Sequence, residues 1–481
     1  MAGVQNRSAV LDYRHIAGNF ESFNTETAMK DVKNRHIVVA GAARSGIAAA
    51  LLLKEKGAYP FVTDNGSVPD TAKKAFNEND IPFEEEQHSK KAFEGEFLVL
   101  SPGVPTGTPL VQHYIQNKKS VYSEIEFASW YCRSPIFAVT GSNGKTTVAN
   151  WMAHTWHTAG RKCILSGNIG TAFSEKVTST SADTDALLEV SSFQLDHIDT
   201  FQPHVSMILN ITPDHLDRYD QDFDLYAASK LSITSNQTAG DTFIYNGDDP
   251  LLAKHAEGLS GKTNSPELWE FSSSREVEKG AFIRDGHIIL KLNNEEEPLM
   301  QIGEIHLQGR HNIQNGMATA LAARASEIKN DLIRESLQTF EGVAHRLEPV
   351  RTYKGVRYIN DSKATNVNAV WFALDSFHMP MVLILGGRDK GNDYSLLAEQ
   401  VREKVHTVIA IGEAAGNIKE QLGDVVPHLK MAESMKEAVK KARKAAKRGE
   451  IVLLSPACSS FDMFENYEHR GNEFKQAVLD L

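Results

Sequence analysis

Val139-Thr-Gly-Ser-Asn-Gly-Lys-Thr-Thr147 follows the apolar run Pro135-Ile-Phe-Ala-Val139 and opens a stretch that reads as a helix from about Thr146. A buried strand, a tight glycine turn and a helix, in that order, make a phosphate cradle. The N–H groups of the turn point inward, and the helix N-terminus adds its positive end. Lys145 is placed to reach the β and γ phosphates of a nucleotide, and the Thr146 hydroxyl to ligate Mg²⁺. The common form of this loop has a glycine five positions before its second glycine. Val139 stands there and the early glycine is Gly141, so the turn is a shortened variant.

Working outward, Ala186–Val190 and Val205–Leu209 are further apolar runs of the kind found in parallel sheets buried on both faces. Glu189 lies at the C-terminal end of the first, where a parallel sheet faces its ligand crevice. A carboxylate there is costly unless paired, and a metal ion supplies the pairing. Asn210-Ile-Thr-Pro-Asp-His-Leu-Asp217 follows the second run and brings Asp214, His215 and Asp217 to the same edge. Lys230, in Tyr226-Ala-Ala-Ser-Lys230, reads on these grounds alone as an exposed helical lysine. Asp285-Gly286 between two alternating runs predicts a hairpin over Ala281–Leu292, and the Glu295-Glu-Glu297 run after it reads as a solvated turn.

Upstream, His36–Ala40, the turn Gly41-Ala-Ala-Arg-Ser-Gly46, a helix over Ile47–Leu53 and the run Pro60–Thr63 ending in Asp64 give β-turn-α-β, the start of a doubly wound sheet. Downstream, Met381–Leu385, Thr407–Ile411 and Ile451–Leu454 alternate with helical stretches. The fold class is therefore α/β in three domains: a Rossmann-like N-terminal domain (31–125), a central P-loop domain with a parallel sheet (126–343) and a Rossmann-like C-terminal domain (344–481), preceded by an extension (1–30).

The 481 residues fit about three domains at roughly 150 residues each. There are 51 Lys and Arg against 62 Asp and Glu, a net charge of −11 that does not suit a general nucleic-acid binder. No apolar run is long enough to span a membrane, and Met1–His15 lacks the apolar stretch of a signal peptide. Cys132, Cys163 and Cys458 are too few and too scattered for a disulfide framework or a zinc site. A reduced, cytoplasmic protein without membrane insertion is expected.

Several of these segments together resemble the Mur ligases, which build the peptide stem of peptidoglycan. The resemblance is carried by Val139–Thr147, Asn210–His215, Tyr226–Lys230, Gly309-Arg-His-Asn312 with Asn315, and His345-Arg-Leu-Glu348, and it runs from about Val32 to the C-terminus. Within the family, Ser191-Ser-Phe-Gln-Leu195, Asn360-Asp-Ser-Lys-Ala-Thr-Asn366 and Ser455-Pro-Ala-Cys-Ser-Ser460 look like the D-glutamate-adding branch. The resemblance implies ATP-driven joining of D-glutamate to UDP-N-acetylmuramoyl-L-alanine through an acyl phosphate, by a monomer using ATP and two Mg²⁺.

It also implies roles. Gly141, Ser142, Asn143, Gly144, Lys145, Thr146 and Thr147 would hold ATP, with Asn312 and Asn315 at the adenine and Arg346 and Asp361 reaching in from the third domain. Ser45, Gly46, Asp64, Asn168 and Gln194 would bind the UDP substrate. Lys363, Thr365, Lys390, Ser460 and Tyr467 would surround D-glutamate. Thr146 and Glu189 would hold one metal ion, and His215 with Lys230, carbamylated by CO₂, the other; Lys145, His215 and Lys230 would be catalytic. A hinge is expected at Gly342–Ala344. In two places the chain departs from the family's pattern: Tyr467 stands where Phe is frequent, and Gly386–Gly391 reads Arg-Asp where Asp-Gly is expected. A sister ligase with another amino acid, a folylpolyglutamate synthase-like enzyme, a P-loop ATPase without ligase activity and a non-catalytic UDP-sugar sensor are the alternatives.

Overall fold

The computed structural model describes residues 31–377, 379–389 and 391–481. The extension 1–30 and Lys390 lie outside the described residues. Three sheets follow one another along the chain. The first holds β1 (His36–Ala40), β2 (Tyr59–Thr63), β3 (Phe83–Glu84), β4 (Leu98–Leu100) and β5 (Val121–Ser123), all parallel, in the order β3-β2-β1-β4-β5. The chain leaves β1 toward β2 on one side and returns to β4 on the other, so the crevice at the ends of β1 and β4 is a switch point. The helix after β1 runs Arg44–Glu55, longer at both ends than the apolar stretch suggests, because its polar ends project outward while Ala48–Leu53 supply the buried stripe.

The central sheet is built on β6 (Ile136–Thr140), flanked by β8 (Thr184–Glu189) with β7 (Lys162–Gly167) on one side, and by β9 (Val205–Ile208), β10 (Thr242–Asn246), β11 (Glu267–Ser272) and β12 (Gly280–Arg284) on the other, all parallel. Every residue of β6 is buried. Phe137 and Val139 pack on one face with Trp151 and Trp156 of the helix Lys145–Thr158, while Ile136 and Ala138 join the opposite core. That opposite core is continuous with the first sheet, so the first two lobes share one apolar interior.

β13 (His287–Leu292) and β14 (Glu295–Gln301) close the sheet antiparallel. Glu295–Glu297 is thus strand, not turn. The turn is Asn293-Asn294, both with positive φ (52° and 61°), as a two-residue hairpin requires. The acidic run tolerates an edge strand because Glu296 pairs across it with Arg284 and Lys291.

The third sheet orders β15 (Glu348–Tyr353), β16 (Val356–Asn360), β20 (Ile451–Leu454), β17 (Met381–Gly386), β18 (Val405–Ile411) and β19 (His428–Ala432), antiparallel only between β15 and β16. Its cores are its own. Among the described residues no helix is long and apolar enough to cross a membrane.

Candidate active site

The turn after β6 is shaped by two glycines, Gly141 (φ +148°) and Gly144 (φ +88°). A Cβ on Gly144 would come 2.7 Å from the Asn315 Oδ1. The turn is clasped by the segment after β9. The Asn143 N–H donates to Asn210 Oδ1 (2.8 Å), Asn210 Nδ2 donates back to the Asn143 carbonyl (3.1 Å), and the Ser142 N–H donates to the Asn210 carbonyl (2.9 Å). The Ser142 hydroxyl donates to the Thr212 carbonyl (2.8 Å) and lies 2.9 Å from the Tyr226 hydroxyl. The Ser142 side chain therefore holds the loop against the segment after β9.

Three ammonium groups gather here. Lys145 Nζ donates to the carbonyls of Gly141 (2.7 Å) and Ser142 (2.9 Å). Lys230 is 2% exposed, not a surface lysine; its Nζ donates to the same Gly141 carbonyl (3.0 Å) and lies 4.7 Å from the centre of the Tyr226 ring. Burial, and then repulsion from Lys145, holds the Lys230 amine well below the usual lysine range. Burial also lowers Lys145, against the pull of Glu189 and Asp214. Lys363 crosses from the third lobe to donate to the Thr146 hydroxyl (2.8 Å), and burial brings it down to about 8.

Glu189 ends β8 in the buried interior. Its Oε1 accepts from Asn168 Nδ2 (3.0 Å), while Oε2 is buried without a hydrogen-bond partner. A bare carboxylate oxygen beside the Thr146 helix start suits a divalent cation, so the residues fit Mg²⁺. Among the described residues no three His, Cys, Asp or Glu side chains form a metal cage; the chain itself offers a hydroxyl, Thr146, and a carboxylate, Glu189. His215 sits at the crevice mouth with left-handed backbone (φ 51°), its ring edge-on to Phe193 at 5.3 Å and its Nε2 3.7 Å from Asp214.

A cavity continues from the turn, walled by Asn143, Gly144, Asn315, Arg346, Asp361 and Phe372. Asp361 is buried, accepts from the Ser455 hydroxyl (2.7 Å) and the Leu347 N–H (3.2 Å), and is pushed up to about 6 by burial. Asn312 is not on the wall: it donates to the Gln308 carbonyl and accepts from Asn315, so it orients Asn315 from behind. His311 and Phe372, which sequence reasoning passed over, do line the cavity, with ring centres 6.0 Å apart. The only signal was that His311 falls within the Gly309–Asn312 motif. The clasping roles of Asn210 and Tyr226 are not legible in the sequence, since their partners lie 67 and 84 residues away.

In the first lobe Asp64 accepts from the Ala42 N–H (2.7 Å) and the Gly66 N–H (2.8 Å), so its carboxylate ties down the glycine turn. A Cβ on Gly46 would collide with the Gly41 carbonyl at 1.8 Å, which explains glycine there; Ser45 lies in the first turn of the helix beside it. Gln194 Oε1 accepts from the Ser191 N–H (3.0 Å), and its Nε2 is buried without a partner. In the third lobe Tyr467 places its ring 5.4 Å from Lys363 Nζ, Ser460 is buried and Thr365 half-buried.

A P-loop sheet carrying a buried carboxylate, with a cleft shared with one Rossmann-like lobe and a second such lobe fused to its core, defines a three-lobed P-loop α/β protein. The chain belongs to the Mur ligase family. Residues 37–109 match the MurD N-terminal domain, 139–323 the Mur ligase middle domain and 345–458 the Mur ligase glutamate ligase domain. A Salinibacter ruber protein named UDP-N-acetylmuramoylalanine--D-glutamate ligase is 49% identical, covering 94% of this chain and 99% of that protein. A protein of the same name from Chloroherpeton thalassium is 44% identical over 94% of this chain and 99% of its own length. The solved pseudomurein peptide ligase type C from Methanothermus fervidus shares the fold at 17% identity, with a TM-score of 0.58 over 93% of this chain and 100% of that one.

Proposed function

We propose that this chain joins D-glutamate to UDP-N-acetylmuramoyl-L-alanine at the expense of ATP, a step in making peptidoglycan precursors, acting as a monomer in the cytoplasm. Relatives of 41–49% identity that carry this name support the assignment. One structural observation carries it: Lys145 and Lys230 converge on the Gly141 carbonyl beside the bare Glu189 oxygen, with Lys363 reaching across from the third lobe. A site that must collect several anions needs cations such as Lys145 and Lys363, while the buried Lys230 amine in its neutral form is the one able to take up CO₂. The lobes act as functional domains with limits near 31–125, 126–343 and 344–481.

The triphosphate lies along the Gly141–Thr147 turn, with its adenine in the cavity beside Asn315 and its ribose near Asp361. Lys145 and Arg346 draw charge from the terminal phosphate. The alanyl carboxylate of the UDP substrate, seated by the Ser45–Gly46 turn, Asn168 and Gln194, attacks the γ-phosphorus and ADP leaves. The D-glutamate amine, placed by Lys363, Thr365, Ser460 and Tyr467, then attacks the acyl carbon, loses a proton, and phosphate departs. Holding three anionic groups in line is most of the work. Thr146 and Glu189 would hold one Mg²⁺ and His215 with carbamylated Lys230 a second, and ions bound there would supply positive charge to offset that of the reacting anions. Carbamylation needs a neutral amine, whose lone pair bonds to CO₂ with loss of a proton; the lowered pKa of Lys230 favours that form.

The test is phosphate release from ATP and Mg²⁺ with the UDP substrate and, one at a time, D-glutamate, L-glutamate, L-alanine, a diamino acid and a D-alanyl dipeptide. The proposal expects release only with D-glutamate and the UDP substrate together. Release without an amino acid would make the chain an ATPase, and release with another amino acid a sister ligase.

A further inference from the structure

Arg470 is the most deeply buried cation of the third lobe, 0% exposed, and among the described residues no carboxylate lies within ion-pair distance of it. Its hydrogen-bond partners are neutral. Nε donates to the Ser362 hydroxyl (2.9 Å), Nη2 to the Ser362 carbonyl (2.7 Å), and Nη1 to the carbonyls of Cys458 (2.9 Å) and Ser459 (3.3 Å). A buried guanidinium with no carboxylate in direct contact is costly, and burial lowers its pKa to about 10 against the more distant pull of Asp462 and Asp361. Such a cost persists where something is gained by it.

The partners show what is gained. Ser362 stands between Asp361 and Lys363 on the loop leaving β16, and Ser459 precedes Ser460 on the loop leaving β20. The two strands are neighbours, with Asn360 beside Leu454, so the loops emerge side by side. Both turn carbonyl oxygens inward, where they would repel each other; the Ser459 carbonyl also accepts from the Arg388 N–H (2.9 Å), whereas those of Ser362 and Cys458 take their hydrogen bonds from the guanidinium. A guanidinium has five donors in a fixed fork and can satisfy both loops at once; an ammonium cannot span them. The surroundings are shaped for it. Gly387, at the end of β17, has φ +148°, and a Cβ there would come 3.0 Å from Arg470 Nη1. The Ser362 hydroxyl passes the chain on by donating to the Tyr467 carbonyl (2.8 Å), the first residue of the helix Tyr467–Leu479 that carries Arg470.

We propose that Arg470 is a positioning residue: by tying Ser362 and Ser459 into one frame it fixes the Lys363 ammonium relative to Ser460 and so sets the seat of the incoming amino acid. This rests on the reading that the third lobe receives the amino acid.

Arg470→Lys and Ser362→Ala separate this role from simple packing. Each substrate is varied in turn at saturation of the others. Arg470→Lys is expected to raise KM for the amino acid about ten- to a hundredfold, leaving KM for the UDP substrate within about twofold, and to weaken discrimination between D- and L-glutamate. Ser362→Ala, which removes one acceptor of four, is expected to shift the same KM in the same direction by a smaller factor, and it decides the matter if Arg470→Lys does not fold. An unchanged KM for every substrate, with kcat falling only as the folded fraction falls, would overturn the proposal. The wild type's own choice of amino acid tests the functional reading. The ratio of variant to wild-type KM, for whichever amino acid is accepted, tests Arg470.

Discussion

Lys230 and Lys145 share one carbonyl, and that crowding distinguishes Lys230 from an ordinary helical lysine. Its amine is expected to react with CO₂, so Lys230→Ala should lose at least about a hundredfold in kcat, with partial recovery in millimolar formate or acetate, which restore the missing oxygens. An active Lys230→Ala enzyme, with no 44-dalton-class carbamate density or mass on the wild type, would remove that role. Asp361 offers a test by pH. Its carboxyl is raised from 3.8 to about 6 by burial, so between those values the folded chain holds a proton that the unfolded chain has released. Stability from this group is complete below pH 3.8 and is lost as pH rises through about 6. Asp361→Asn should flatten that part of the thermal midpoint against pH. It should also raise KM for ATP at neutral pH, and that difference from wild type should shrink below pH 6, where the wild-type carboxyl is also neutral. A constant ratio of the two KM values across that range would contradict the assignment of Asp361 to the nucleotide.

The phosphate turn depends on an element that does not adjoin it in sequence. Asn210 exchanges two hydrogen bonds with Asn143, so Asn210→Ala leaves the Asn143 N–H and carbonyl without their side-chain partner. A loss of about 1–3 kcal/mol in stability is expected, read from denaturant midpoints, together with a rise in KM for ATP; an unchanged KM would mean that the clasp does not shape the nucleotide site. The strand–turn–helix at Pro135–Thr158 was legible because apolar period, glycine placement and helix start all point the same way. The Glu295–Glu297 strand was not, because its cross-strand cations Arg284 and Lys291 come from the neighbouring strands, and local charge alone argues for a turn. Lys230 was legible only through its family motif: nothing in Tyr226–Lys230 announces that the helix buries its last turn.

At the scale of the molecule, two lobes share one apolar core and the third touches them through polar contacts near the site. Lys363 bonds to Thr146, Asn366 Nδ2 donates to Asp214 (3.1 Å) and Asn368 Nδ2 donates to the Pro213 carbonyl (3.3 Å). The link to the third lobe passes through Gly342 (φ 98°), His345 (φ 64°) and Leu347 (φ 44°). A lobe attached this way can swing, so scattering in solution should show compaction when an ATP analogue and the UDP substrate are both present, and Asn366→Ala should reduce it. Equal radii with and without ligands would contradict closure. This assembly was partly legible: the order of the lobes follows from alternating strands and helices, but the contacts that join them pair residues some 150 to 220 positions apart and leave no local pattern. The central claim is that the acid of the UDP substrate, not water, takes the terminal phosphoryl group of ATP. It is tested most directly by labelling both alanyl carboxylate oxygens with ¹⁸O and weighing the phosphate released during turnover with D-glutamate. One labelled oxygen in each phosphate is the predicted result, its partner remaining in the new amide; unlabelled phosphate would contradict the account.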